Sequence, residues 1–206
     1  MTQRYRAGPG PAGLLAEPVL VINQRLKLIE LRNEFRIFDQ YGNQIGVAVQ
    51  ARQSPLAFLA RVFSDWDVSL PMTLEVRDRG GAVALSLHKP WFRMQCTVSR
   101  GDGLELGHIR KKIRLGKARF SLLDPGGREV GEVRAQSWRA KDFVVLDASG
   151  MELARVNKKF AGLRELFTDA DNYVIELNPA ATDPMRSLAV ASVLAIDTVM
   201  KQKDTG

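Results

Sequence analysis

The segment TDPMRSLAVASVLAIDTVMKQ, residues 182–202, constrains this fold more than any other stretch. Asp183 sits where a helix N-cap belongs and Pro184 at the first helical position, and from Leu188 to Met200 only Ser192, Asp197 and Thr198 are polar. A helix that is apolar nearly all round must be enclosed, by lipid or by protein. The 14 residues between Arg186 and Lys201 make roughly 21 Å of helix against a hydrocarbon core of roughly 30 Å. That is too short to span comfortably, and Asp197 makes spanning worse. The segment therefore reads as a core helix, and no transmembrane span is expected.

The rest of the chain indicates what could enclose it. From residue 19 to 177 apolar and polar residues alternate with period two, in runs such as FRIFD, IGVAVQA, MTLEVRD, AVALSLH, ARFSLLD, EVGEVRA, FVVLD and ELARV. Turn clusters separate them: DQYGN (39–43), RGG (79–81), RGDG (100–103), DPGG (124–127) and DASG (147–150). Each supplies the Gly or Asn that a tight hairpin needs for positive φ. The last four recur about every 23 residues, a weak repeat of roughly two strands per unit. The count points to an antiparallel closed β-barrel of about twelve strands. Such a barrel is too wide for wall side chains alone to fill, and the C-terminal helix would fill it. Two further helices are expected, SPLAFLARVFSDWD (54–67) and KFAGLRELFTD (159–169), both packed on the outside or end of the sheet.

Composition narrows the class. With 206 residues and one cysteine, Cys96, a single domain over 14–202 is expected, with tails at 1–13 and 203–206. One cysteine excludes an intramolecular disulfide framework, and His88 and His108 alone supply no zinc cluster. Gly and Pro interrupt the N-terminus before any apolar run of signal-peptide length, so a cytoplasmic location is expected, with peripheral membrane contact as an extension of it. The formal charge is +7, and residues 160–206 hold four Lys/Arg against seven acids, which leaves +10 on the remainder. A basic body favours polyanions such as acidic head groups or nucleic acid.

Several segments carry a resemblance. ARVNKKFAGLRELFTDADNYVIELNP followed by RSLAVASVLAIDTVM presents an Asp-x-Asp segment, an alternating strand closed by Pro, and an apolar helix containing Ile-Asp. FRIFDQYGNQIG and FSLLDPGGREVGEV repeat a strand, an Asp, a Gly turn and an Ile/Val-Gly strand. Over roughly residues 14 to 200 the chain resembles the Tubby C-terminal-like superfamily, which includes phospholipid scramblases and the plant LURP-one-related proteins. The resemblance implies a barrel around a central helix, and a lipid-associated, non-enzymatic role. It also makes the segment matching Asp169 to Leu177 the proposed calcium-binding motif. Scramblases carry a proline-rich extension and a palmitoylated cysteine stretch; here only GPGPAG and the lone Cys96 stand in their place. Stable acyl anchoring is not expected.

The candidate sites follow. In an extended chain Asp169 and Asp171 share a face with Tyr173, Ile175 and Leu177, at the rim of the inward face. Calcium needs roughly six to eight oxygens, and this segment lacks both the Gly bend and the in-phase Glu of an EF-hand loop. Capping of the preceding turn fits these residues better than a metal site; weak calcium binding is the alternative. HIRKKIRLGKAR (108–119) holds Arg110, Lys111, Lys112, Arg114, Lys117 and Arg119 with no acid, and Arg110, Lys112 and Arg114 alternate onto one strand face. That row could meet lipid or nucleic-acid phosphates, or could be a solvated face that discourages sheet aggregation. The aromatics that stack single-stranded bases are absent from it. Trp66, Trp91 and Trp138 are secondary membrane-contact candidates, as packing or as interfacial anchors.

No P-loop, Rossmann glycine motif or serine elbow appears, and Cys96 reads as strand packing, so no enzyme is expected. Asp197 should reach the barrel mouth near Lys201 or pair with an inward Arg. The expected function is a lipid- or membrane-surface-associated module that binds anionic head groups. A soluble scaffold or protein-interaction domain, or a nucleic-acid binder, is the alternative.

Overall fold

A computed structural model describes residues 13–27, 32–51, 71–90, 94–114, 117–137, 142–157 and 172–198. The alternating runs become twelve strands: β1 (Val19–Lys27), β2 (Arg32–Phe38), β3 (Gln44–Gln50), β4 (Met72–Asp78), β5 (Val83–Lys89), β6 (Gln95–Arg100), β7 (Glu105–Arg114), β8 (Lys117–Leu123), β9 (Glu129–Ser137), β10 (Asp142–Asp147), β11 (Glu152–Asn157) and β12 (Asn172–Leu177). Each is antiparallel to its sequence neighbours, and β12 pairs with β1 to close the barrel. The twelve-strand barrel expected from the alternation is the observed architecture.

Register puts the apolar phase of every strand inside. Phe35 faces Ala48, Ala48 faces Val76 and Val76 faces Leu85, all fully buried. Around the wall the same layer type continues through Cys96–Ile109–Leu122 and Phe120–Val133–Val145–Ala154–Leu177. A directly opposed pair shares a face of the sheet, so these ladders define the interior. A small second cluster, Val21 with Val174 and the flanking Val19 and Phe38, lies on the opposite face of the β1–β12 seam.

One end of the barrel is closed by five hairpins of one design. In four of them the backbone N–H of an aspartate (Asp39, Asp78, Asp124, Asp147) donates to the carbonyl of the residue four positions on, and the N–H of a glycine three positions on donates to the aspartate's carbonyl. The aspartate Oδ1 also accepts the N–H of that fourth residue, at 2.8–2.9 Å. The β6–β7 turn has Arg100 in the first position and uses Asp102 to accept the Leu104 N–H at 3.1 Å. Gly42, Gly81, Gly103, Gly127 and Gly150 have φ between 83° and 88°, which a residue with a Cβ adopts only under strain. At Asp39, burial works against ionisation, yet hydrogen bonds from Asn43 and the Tyr41 N–H hold its carboxyl below the usual range. The five turns are thus the structural form of the Asp/Gly repeat.

The helix α1 (Met185–Thr198) enters at this turn end and runs down the barrel axis, touching β5, β6, β7, β11 and β12. Leu188 through Ala195 are at most 1% exposed. Half of that stretch is Ala or Ser, which lets the helix approach the wall closely; Ser192 Oγ donates to the Ala189 carbonyl at 2.8 Å and so leaves no unmet hydroxyl. Gly107 makes room on the wall: a Cβ there would lie 2.1 Å from the Leu123 carbonyl oxygen and 3.3 Å from Leu188 Cδ1. Asp183 caps the helix, accepting from Ser187 N–H at 3.2 Å and from Ser187 Oγ at 2.7 Å. The apolar C-terminal segment is thus a core helix enclosed by the barrel wall, as its length and all-round apolarity imply.

The turn end is sealed by a contact that sequence patterning does not reveal. Before β1 a short 3-10 helix (Gly13–Ala16) buries Leu14 and Leu15. Arg186, only 5% exposed, donates to the carbonyls of Leu15 (2.6 Å), Ala16 (3.2 Å), Glu17 (2.7 Å) and Asn178 (3.1 Å). One guanidinium thus clasps the chain entry to the start of the core helix.

Candidate functional site: the basic face of β7 and β8

On β7 the alternation around the buried Ile109 assigns the basic residues to two faces. Arg110 lies opposite Ser121 and Lys112 opposite Arg119, on the outer face, while Lys111 lies opposite the buried Phe120, on the inner one. Arg110 and Lys112 thus share one face of the strand and Lys111 lies on the other. Lys111 is half-buried at the barrel mouth, where burial pushes its ammonium pKa down. Arg114 pairs with Lys117 in the backbone register, and their side chains lie outside the described residues.

The outer members are positioned by neighbours across the sheet. Arg110 Nε donates to Gln95 Oε1 at 2.9 Å. Lys112 Nζ donates to Glu129 Oε2 at 2.8 Å, and that bond, opposed by partial burial and aided by Ser121 and Arg110, lowers the Glu129 pKa. Arg119 is exposed beside Lys112. Three cations thus stand on one face of two adjacent strands with one carboxylate among them, an arrangement suited to phosphate oxygens.

The remaining candidates separate from this face. Cys96 faces the core, fully buried, and burial pushes its thiol up to about 12. His88 and His108 lie on the outer face on either side of Thr97. His88 Nδ1 is 3.0 Å from Thr73 Oγ1; His108 Nδ1 is 3.3 Å from Thr97 Oγ1, and its Nε2 is 3.3 Å from Glu105. The wall stands between the thiol and both imidazoles, so no cysteine–histidine dyad is assembled. Asp169 and Asp171, Trp66, Trp91 and Trp138, and the expected helices over 54–67 and 159–169 lie outside the described residues, as does the Asp197 side chain. Among the described residues no three His, Cys, Asp or Glu side chains come together as a metal site.

The wall is the reverse of a membrane barrel. Membrane barrels present an apolar band outward and polar groups inward. Here the inner layers are apolar, while Glu75, Arg77, Glu132, Arg134, Glu152 and Arg155 form ion pairs outside. Among the described residues no helix is long and apolar enough to cross a bilayer.

Comparison with known proteins agrees with this architecture. The chain is 24% identical over 198 residues to the altered inheritance rate of mitochondria protein 25 of Saccharomyces cerevisiae, covering 80% of this chain and 60% of that one. It is 22% identical over 209 residues to human phospholipid scramblase 2, covering 92% and 69%. The chain therefore spans about 60% of the yeast relative's length. The X-ray structure of an Arabidopsis thaliana protein superposes with a TM-score of 0.53 at 17% identity, over 90% of this chain and 94% of that one. That likeness places the barrel and its helix in the Tubby-like fold. The model of the scramblase family matches residues 9–202, and the chain belongs to that family.

Proposed function

We propose that this protein is a lipid-surface module of the scramblase family that captures anionic head groups on the outer face of β7 and β8. The observation that carries the reading is the grouping of Arg110, Lys112 and Arg119 on one face, with Glu129 as the neighbouring carboxylate. Each cation near an anionic surface adds about 1 kcal/mol of attraction, and the sum is screened by salt. The family supports a lipid-associated role, and human phospholipid scramblase 2 is a named relative. Carriage of lipids across the bilayer by α1 is not part of the proposal, because α1 is enclosed by the wall. The role needs no catalytic group, and the module acts as a peripheral component on a cytoplasmic surface.

Flotation with phosphatidylserine-containing and with neutral vesicles tests this. Retention on anionic vesicles that fades at high salt is expected; no retention at low salt ends the proposal. Tighter binding to duplex DNA than to those vesicles would instead favour a nucleic-acid role.

Calcium at Asp169 and Asp171 is a subsidiary proposal, supported by the family resemblance of that segment. Titration calorimetry on the wild type and on Asp169→Ala/Asp171→Ala should show heat for the first alone, and identical flat traces remove the site. A second reading, a protein-interaction domain, is favoured by the exposed Tyr41, Leu104 and Met151 at the hairpin turns. It gains if vesicles fail to retain the protein.

A further inference from the structure

Among the described residues the two ends of the barrel differ in charge. Residues 39–43, 78–82, 100–104, 124–128 and 147–151, at the turn end, hold five aspartates against three arginines. Those arginines are engaged locally: Arg100 pairs with Asp102, Arg128 with Asp124, and Arg79 donates twice to the Gln44 carbonyl. Toward the other end, where β5 and β7 finish and β6 and β8 begin, stand Arg110, held by Gln95, Lys111 and the exposed Arg119, with Lys112 beside them reaching back to Glu129.

An exposed apolar side chain stands at that basic end. Met94 is 50% exposed, and its carbonyl accepts the Lys111 N–H at 2.8 Å, which sets it level with Lys111 on the neighbouring strand. The next residue, Gln95, holds Arg110. A flexible thioether flanked by cations has the composition of an interfacial contact, in which an apolar group enters the head-group layer while ammonium and guanidinium groups meet phosphates. Tyr41, Leu104 and Met151 are also exposed and apolar, but they stand among the aspartates of the turn end. An anionic surface repels that end.

We infer that the barrel docks on an anionic bilayer by the end where β5 and β7 finish, with Met94 entering the head-group layer and the five tight turns facing water. This rests on the head-group reading above and adds an orientation to it. Lys111 then has a role despite facing inward: at the rim its amine can turn out toward a lipid phosphate, recovering the solvation that burial costs it.

Site-directed fluorescence tests the orientation. Met94→Cys and Leu104→Cys, each labelled with an environment-sensitive nitrobenzoxadiazole, are mixed with phosphatidylserine–phosphatidylcholine vesicles. Cys96 does not compete for label, being buried with its thiol at about 12. The label at 94 should brighten, shift to the blue and be quenched by nitroxide lipids, while the label at 104 stays unchanged. Met94→Glu should weaken vesicle retention about fivefold, one unit charge's worth, and Leu104→Glu should leave it intact. Circular dichroism confirms that each variant is folded. A response at 104 without one at 94, or at neither while the unlabelled protein still floats, overturns the orientation alone. Failure of the wild type to float removes the head-group reading and the orientation with it.

Discussion

On the inner side of β9, β10 and β11, Val133, Val145 and Ala154 stack in one buried layer against the core. On the outer side of the same strands Arg134 pairs with Glu132 and Arg155 with Glu152, in contact with water. The two faces are one residue apart in sequence and share every backbone hydrogen bond, yet they answer to different physics. Inside, burial of apolar area and exclusion of unpaired charge decide stability. Outside, ion pairs contribute little to stability, and charge is available for recognition. Substitutions on the two faces should therefore separate cleanly into those that unfold the protein and those that alter what it binds.

The sharpest attempt to break that contrast is a charge in the core. Leu194→Asp places a carboxylate in the fully buried stretch of α1. A loss of more than about 4 kcal/mol is expected, read as failure to fold or as a large fall in urea midpoint. Arg186→Ala should come next. It frees four carbonyls of Leu15, Ala16, Glu17 and Asn178 and should cost about 3 kcal/mol. Faster proteolysis within residues 13–18 would accompany it, since the clasp holds Leu15, Ala16 and Glu17.

Cys96 supplies a smaller effect with a defined pH dependence. Its thiol stands at about 12 in the fold, against an ordinary value of 9.0. The folded state thus holds the proton more tightly. Stability is fully present below about pH 9 and falls as pH rises toward 12, at up to about 1.4 kcal/mol per pH unit. Urea midpoints of the wild type and Cys96→Ala across that range should diverge on the alkaline side only; parallel curves would contradict a buried neutral thiol.

How much of this is legible in the sequence differs between the faces. Period-two runs and Asp/Gly turns carry the barrel, because each strand is half-buried and each hairpin needs one positive φ. The all-round apolarity of residues 188–196 carries the enclosed helix by the same logic of burial. Alternation alone separates Lys111 from Arg110 and Lys112, and the pairing of Lys111 with the buried Phe120 shows that its face is the inner one. The contacts of Arg186 join residues about 170 apart in sequence, and no local pattern reports such a clasp. Met94 lies in an ordinary stretch, and its exposure follows from the end of β6, which composition does not reveal.

The outer face should show the smallest stability effect and the largest change in binding. The triple substitution Arg110→Gln/Lys112→Gln/Arg119→Gln removes the described outer cations of β7 and β8 while leaving the inner layers intact. Its urea midpoint and its retention on phosphatidylserine vesicles, measured on one preparation, test the central claim most directly. The account predicts an unfolding curve within about 1 kcal/mol of the wild type and loss of most low-salt vesicle retention. Unchanged retention in the folded triple variant would contradict it.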